Sequence, residues 1–111
     1  MPRFLMTFNS AAKPGRGEEY SDWCRTQHFA DVLRVPGVIT GRRYQVLPKS
    51  TDEQSRFISL FELECDDPAE VVAEMRRRSG TPEMPTSDSY DPASVSITLS
   101  ELELDMRSDA N

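Results

Sequence analysis

Apolar positions along this chain repeat every second residue, then at helical spacing, then every second residue again, and this order of periods lays out the elements. From Arg3 to Asn9, Phe4, Met6 and Phe8 share one side of a two-residue repeat and Leu5, Thr7 and Asn9 the other, which predicts a first strand. Pro14, Gly15 and Gly17 mark residues 10–17 as a turn. A helix is expected from Glu18 to Val35. Glu18, Glu19 and Asp22 sit in its first turns, as the helix dipole prefers, and Pro36-Gly37 ends it. Val38 to Leu47 reads as a second strand, residues 49–55 as a polar hairpin loop, and Arg56 to Cys65 as a third strand.

That third strand is apolar on both sides for much of its length. Phe57, Ser59, Phe61, Leu63 and Cys65 form one face and Ile58, Leu60, Glu62 and Glu64 the other, so cover on both sides is expected. Asp67 then offers an N-cap and Pro68 a first helical position, with Val71, Val72 and Met75 at helical spacing up to Arg78 and Gly80 as the stop. Residues 81–92 hold Pro82, Pro85 and Pro92 and read as a long loop, either functional or mobile. Ser94 to Leu104 alternates as a fourth strand, and residues 106–111 form a polar tail.

The pattern is β-α-β-β-α-β, an α+β order of the ferredoxin-like kind: a four-stranded antiparallel sheet with two helices on one face. It spans about residues 3–105 as a single domain. The second sheet face keeps apolar side chains, Ile58 and Leu60 or else Phe57 and Phe61 depending on register. A bare apolar face is a large exposed patch, so a homodimer with two sheets facing each other around a cavity is expected.

Composition narrows the partners. The chain has 111 residues, 29% of them charged, and a net charge of −6. A nucleic-acid partner is not expected, because phosphate binding needs clustered Lys and Arg. The run Arg76-Arg77-Arg78 reads as a solvated helix end whose cations complement the dipole. No apolar run approaches the roughly 20 residues of a membrane span, and the first residues lack a secretory signal pattern. A cytoplasmic protein with no membrane partner is expected. Cys24 and Cys65 lie far apart and read as reduced, buried thiols. With one histidine and no ligand spacing, no metal is expected, and no glycine cluster supports a phosphate-bearing cofactor.

His28 is the only histidine, and imidazole is the side chain whose ordinary pKa lies nearest neutrality. At about 100° per residue, His28 falls near Tyr20, Cys24, Asp31 and Val35 on the inward side of the helix. Asp31, three residues on, can hold one ring nitrogen and fix the tautomer, or line the pocket beside the ring and share acid and base duties. Without any such role, His28 is a satisfied core histidine and Asp31 a cap on the turn before Pro36. Five further candidates are weaker. Arg42 and Tyr44 share a face of the second strand and Arg43 takes the other, so Arg43 or Tyr44 can reach a ligand oxygen, or simply decorate an edge strand. Trp23 packs or stacks on an aromatic ligand. Asn9 can donate to a ligand or form a turn. Tyr90 is the one large side chain of the long loop able to close over a pocket.

Three stretches resemble a known family: Gly15-Arg-Gly-Glu-Glu-Tyr-Ser-Asp-Trp23, then His28-Phe-Ala-Asp31-Val-Leu-Arg-Val-Pro36-Gly37-Val, then Gly41-Arg-Arg-Tyr44. They are similar to the dimeric α/β-barrel superfamily, especially its EthD-like branch. The resemblance implies a ferredoxin-like protomer, a homodimer, and a pocket between helices and sheet with His28 and Asp31 as its polar pair. The superfamily includes cofactor-free monooxygenases, polyketide cyclases, lactone isomerases, dehydratases, haem-handling proteins and members without assigned chemistry, so architecture is implied more firmly than reaction. The expectation is a cofactor-free lyase or isomerase acting on a small, apolar, oxygenated substrate, aromatic or polyketide-like. His28 and Asp31 would move the proton and Arg43 or Tyr44 would hold an oxyanion. The alternatives are a cofactor-free monooxygenase and a non-catalytic small-molecule-binding accessory protein.

Overall fold

A computed structural model describes residues 1–49 and 54–109. Four residues of the expected hairpin loop, 50–53, and the last two of the expected tail lie outside them. The elements are β1 (Arg3–Ala11), α1 (Gly17–Trp23), a π-helical turn (Cys24–His28), α2 (Phe29–Leu33), β2 (Val38–Gln45), β3 (Arg56–Glu64), α3 (Pro68–Arg78), a short 3-10 turn (Pro92–Ser94) and β4 (Ser96–Glu101). Backbone angles stay right-handed helical across both junctions of the π turn, so α1, the turn and α2 run on as one helix. With α3 as the second helix, the chain has an α+β fold.

The sheet order is β2-β3-β1-β4, with every adjacent pair antiparallel, compatible with a ferredoxin-like fold. Register decides which apolar residues go inside. Phe57 lies opposite Ser10, Ser59 opposite Phe8, Phe61 opposite Met6 and Leu63 opposite Phe4, and residues directly opposite point the same way. This set meets the helices: Met6, Phe61 and Leu63 form one core with Val32, Val35, Val71, Val72 and Met75. The other side carries Leu5, Thr7 and Asn9 against Leu60, Ile58 and the β4 residues Ser96, Thr98 and Ser100. Ile58 and Leu60 are therefore the pair left on the open face, partly exposed.

Local chemistry explains the ends. Asp67 accepts from the Ala69 N–H at 3.0 Å, capping α3 as its sequence position suggested. β4 is shorter than the alternation to Leu104 predicts. It pairs only with β1, which begins at Arg3, so beyond one last bond from the Leu102 N–H to the Arg3 carbonyl its backbone runs out of partner. The alternating pattern continues there, but Leu102, Leu104 and Met106 stay exposed. The long loop before β4 is tied down along its length. Ser89 accepts from the Lys13 N–H, the Asp91 N–H donates to Ala11, and Tyr90 bridges to Ala12. Met84 and Ser89 are buried. Among the described residues no helix is long and apolar enough to cross a membrane, and no group of three or more His, Cys, Asp or Glu is placed to hold a metal.

Candidate functional site

Four aromatic rings gather where α1 and the π turn face the loop before β4. In an α-helix, residues five apart point about 140° away from each other. In a π turn the backbone bonds from i to i+5, here from the Phe29 N–H to the Cys24 carbonyl, and residues five apart come into line. Trp23 and His28 are such a pair. Their rings stack at 4.4 Å between centroids and 16° between planes. Tyr90 stacks on Trp23 at 6.0 Å and 17°, and Tyr20 lies within 6.1 Å of Trp23 and 5.4 Å of Tyr90.

These rings form one wall of a cavity of about 180 Å³ between the helices, the loop and the sheet. Phe8 and Phe61 rise from the sheet floor, Val72 and Met75 enter from α3, and Met84 comes from the loop. Polar groups are few. Tyr20 and Ser10 share a hydrogen bond between hydroxyls at 2.7 Å, Ser59 lies on the floor, and Arg76 and Thr86 line the outer part. The pattern is apolar with a few convergent polar groups, as small-molecule sites are.

His28 lines this cavity with its Nδ1 closed off from water and lacking a hydrogen-bond partner. Burial pushes its pKa down to about 4. The Asp31 carboxylate opposes that shift and the Arg43 charge adds to it. The imidazole is neutral at pH 7, with one nitrogen able to donate and the other to accept. Burial pushes the Tyr20 hydroxyl up, with the Ser10 hydrogen bond and Arg43 pulling the other way, so Tyr20 is a protonated donor at neutral pH. Cys24, also in the wall, is buried and pushed up to about 11, which makes it an inert thiol.

The sequence-derived candidates divide. His28, Trp23 and Tyr90 come together at the cavity. Asp31 is buried but turned elsewhere: Oδ2 accepts from Gln27 Nε2 at 2.8 Å and Oδ1 from Arg34 Nη1 at 2.7 Å, so it supports the helix rather than bonding to the imidazole. Arg43 lies on the face of β2 that register turns toward the helices, opposite that of Arg42 and Tyr44, but it sits behind Tyr20, its guanidinium carbon 4.3 Å from that ring. Tyr44 and Asn9 both lie opposite Ile58, on the open sheet face and away from the cavity. Sequence reasoning did not single out the Tyr20–Ser10 pair. Tyr20 sat on the inward side of the helical wheel and Ser10 continued the inward alternation of β1, but their meeting depends on how α1 lies across the sheet. The contributions of α3 and Met84 left no local signal.

Comparison of the chain with protein-family models and with curated proteins gives no match. The likeness to the EthD-like branch therefore rests on the sequence stretches quoted above, and fold and site together define a class only: an α+β protein with a partly open, aromatic-walled pocket beside one neutral histidine.

Proposed function

We propose that the protein is a cofactor-free lyase or isomerase that moves a proton on a small, flat, oxygen-bearing molecule held against the Trp23–His28 stack. The observation that carries this reading is the unpartnered, neutral imidazole of His28 in the wall of an apolar cavity. A cavity of about 150 Å³ admits benzene, so the 180 Å³ here suits a single substituted ring or a compact lactone. His28 starts unprotonated and takes the proton. Negative charge developing on the substrate beside it then raises its basicity through direct pairing. The Tyr20 hydroxyl, seated on Ser10, donates to the substrate oxygen that becomes an oxyanion. Asp31, fixed by Gln27 and Arg34, holds the helix that carries His28 and tunes it through space.

The ferredoxin-like protomer, the EthD-like relationship and a homodimer belong to the same proposal. Their support is the β2-β3-β1-β4 order, the partly exposed Ile58 and Leu60, and Leu47, Leu102 and Leu104 standing exposed. One observation favours a different reading, a binding protein without turnover: the carboxylate expected to orient His28 is engaged elsewhere.

Deuterium exchange separates the two. In D2O, the protein should catalyse exchange at the carbon next to the carbonyl of phenylacetone, a single substituted ring, and of small enol lactones. His28→Gln should abolish the exchange, and Tyr20→Phe should slow it about 100-fold. Exchange no faster than with free imidazole, or unchanged in His28→Gln, rejects proton transfer and leaves the binding reading. Oxygen uptake during turnover would point to the monooxygenase alternative. Sedimentation of wild type against Leu60→Lys tests the dimer.

A further inference from the structure

On the other side of the α1–π segment, behind Tyr20, lies an open cleft of about 430 Å³ that the proposed chemistry does not use. Ser21, Arg25 and Phe29 line it from the helix, and Gly41, Arg43 and Gln45 from β2. Its centre is a poorly satisfied cation. The Arg43 guanidinium carbon sits 3.9 Å from the centre of the Phe57 ring and 4.3 Å from that of Tyr20. Nη1 is shut off from water without a hydrogen-bond partner. Nη2 makes a long 3.5 Å contact with Ser21 Oγ. Among the described residues no carboxylate pairs with Arg43, whereas seven other arginines each find one. A guanidinium stays charged at any physiological pH and presents five donors, and leaving such donors unpaired is costly.

We propose that this cleft is a second binding site, for a small carboxylate carrying an apolar or aromatic body, with Arg43 as its anchor. A carboxylate entering beside Ser21 accepts from the guanidinium edge now left to the long serine contact, and a small turn of the guanidinium plane brings Nη1 to the same acceptor. Planar guanidinium and planar carboxylate match as a fork. Phe29, Phe57 and Gly41 line the cleft beside it and give the apolar body a surface to lie on. Arg25, paired with Asp22, lies at the rim. On a chain of net charge −6, local attraction of this kind has to be built from particular cations.

The test is an amide NMR titration of the whole protein at pH 7 with sodium benzoate, benzamide and inorganic phosphate at matched ionic strength. Benzoate should shift Ser21, Gly41 and Gln45 saturably and bind about tenfold or more tighter than benzamide, its neutral isostere, and than phosphate. Arg43→Met should erase the preference for benzoate over benzamide, and Arg43→Lys should weaken it without erasing it. If Arg43→Met does not fold, Arg43→Lys and the wild-type ratio decide. Equal binding of benzoate and benzamide, equal binding of phosphate, an unchanged preference in a folded Arg43→Met, or shifts confined to Trp23, Met84 and Tyr90 would each overturn the proposal.

Discussion

Replacing His28 by phenylalanine keeps a flat ring against Trp23 and removes the titrating group, which makes the variant a direct probe of how deeply the imidazole is buried. In the unfolded chain a histidine takes up its proton near pH 6.5; in the folded chain burial delays that step to about 4. Between those values the unfolded state binds more protons than the native state, so stability rises with pH and falls on acidification. The folded protein should therefore lose stability as pH drops from 6.5 to 4, by about 3 kcal/mol at most at 1.36 kcal/mol per tenfold change. His28→Phe should not show this loss. Glu19, Glu74 and Asp88, whose arginine partners hold them below the usual carboxylate range, lose their contribution below about pH 4.5 in both proteins, so they cancel in the comparison. Urea unfolding at half-unit pH steps, followed by circular dichroism, measures the difference directly. A gap between wild type and variant that stays constant to within about 0.5 kcal/mol over the window, or an imidazole that titrates near 6.5 by NMR, would refute the burial argument and with it the neutral starting state of His28.

Three further outcomes follow from the packing. Arg34→Ala leaves the buried Asp31 carboxylate with Gln27 alone and should cost roughly 2 kcal/mol in urea unfolding, more than the roughly 1 kcal/mol of Asp31→Asn, which removes the charge as well; the reverse order would mean that Asp31 is not held as described. Gly41→Ala places a Cβ 2.9 Å from Cε1 of Phe61, a ring confined by Phe8 and Phe29, and should lower stability by about 2 kcal/mol, whereas a neutral effect would mean that the floor of the site yields easily. Native protein treated with iodoacetamide at pH 8 should be modified at the partly exposed Cys65 and not at Cys24 until denaturant is added, as peptide mass mapping would detect.

Much of the fold was legible because its elements are written locally. Alternation in β1 and β3, the Asp67-Pro68 start of α3 and the Pro36-Gly37 stop each depend on neighbours a few residues away, and the structure places these elements close to where the pattern put them. The site was legible only in part. A helical wheel at constant pitch brings His28 next to Asp31 and leaves Trp23 at the border. The π turn changes the pitch between Cys24 and His28, so the ring that meets His28 is that of Trp23, while Asp31 turns to Gln27 and Arg34. Nothing in the residue types from Cys24 to His28 announces a wider turn.

By itself the sequence determined the order of strands and helices, the caps and breaks between them, and the presence of one imidazole on a helix, since all of these follow from short-range sterics and periodicity. The tertiary structure alone decided that Phe57 and Phe61 rather than Ile58 and Leu60 lie beneath the helices, that Tyr20 meets Ser10, and that Arg43 rests behind the tyrosine instead of beside the histidine. Those outcomes depend on strand register and on the seating of a helix across a sheet, where contacts between residues far apart in the chain compete and packing selects among them.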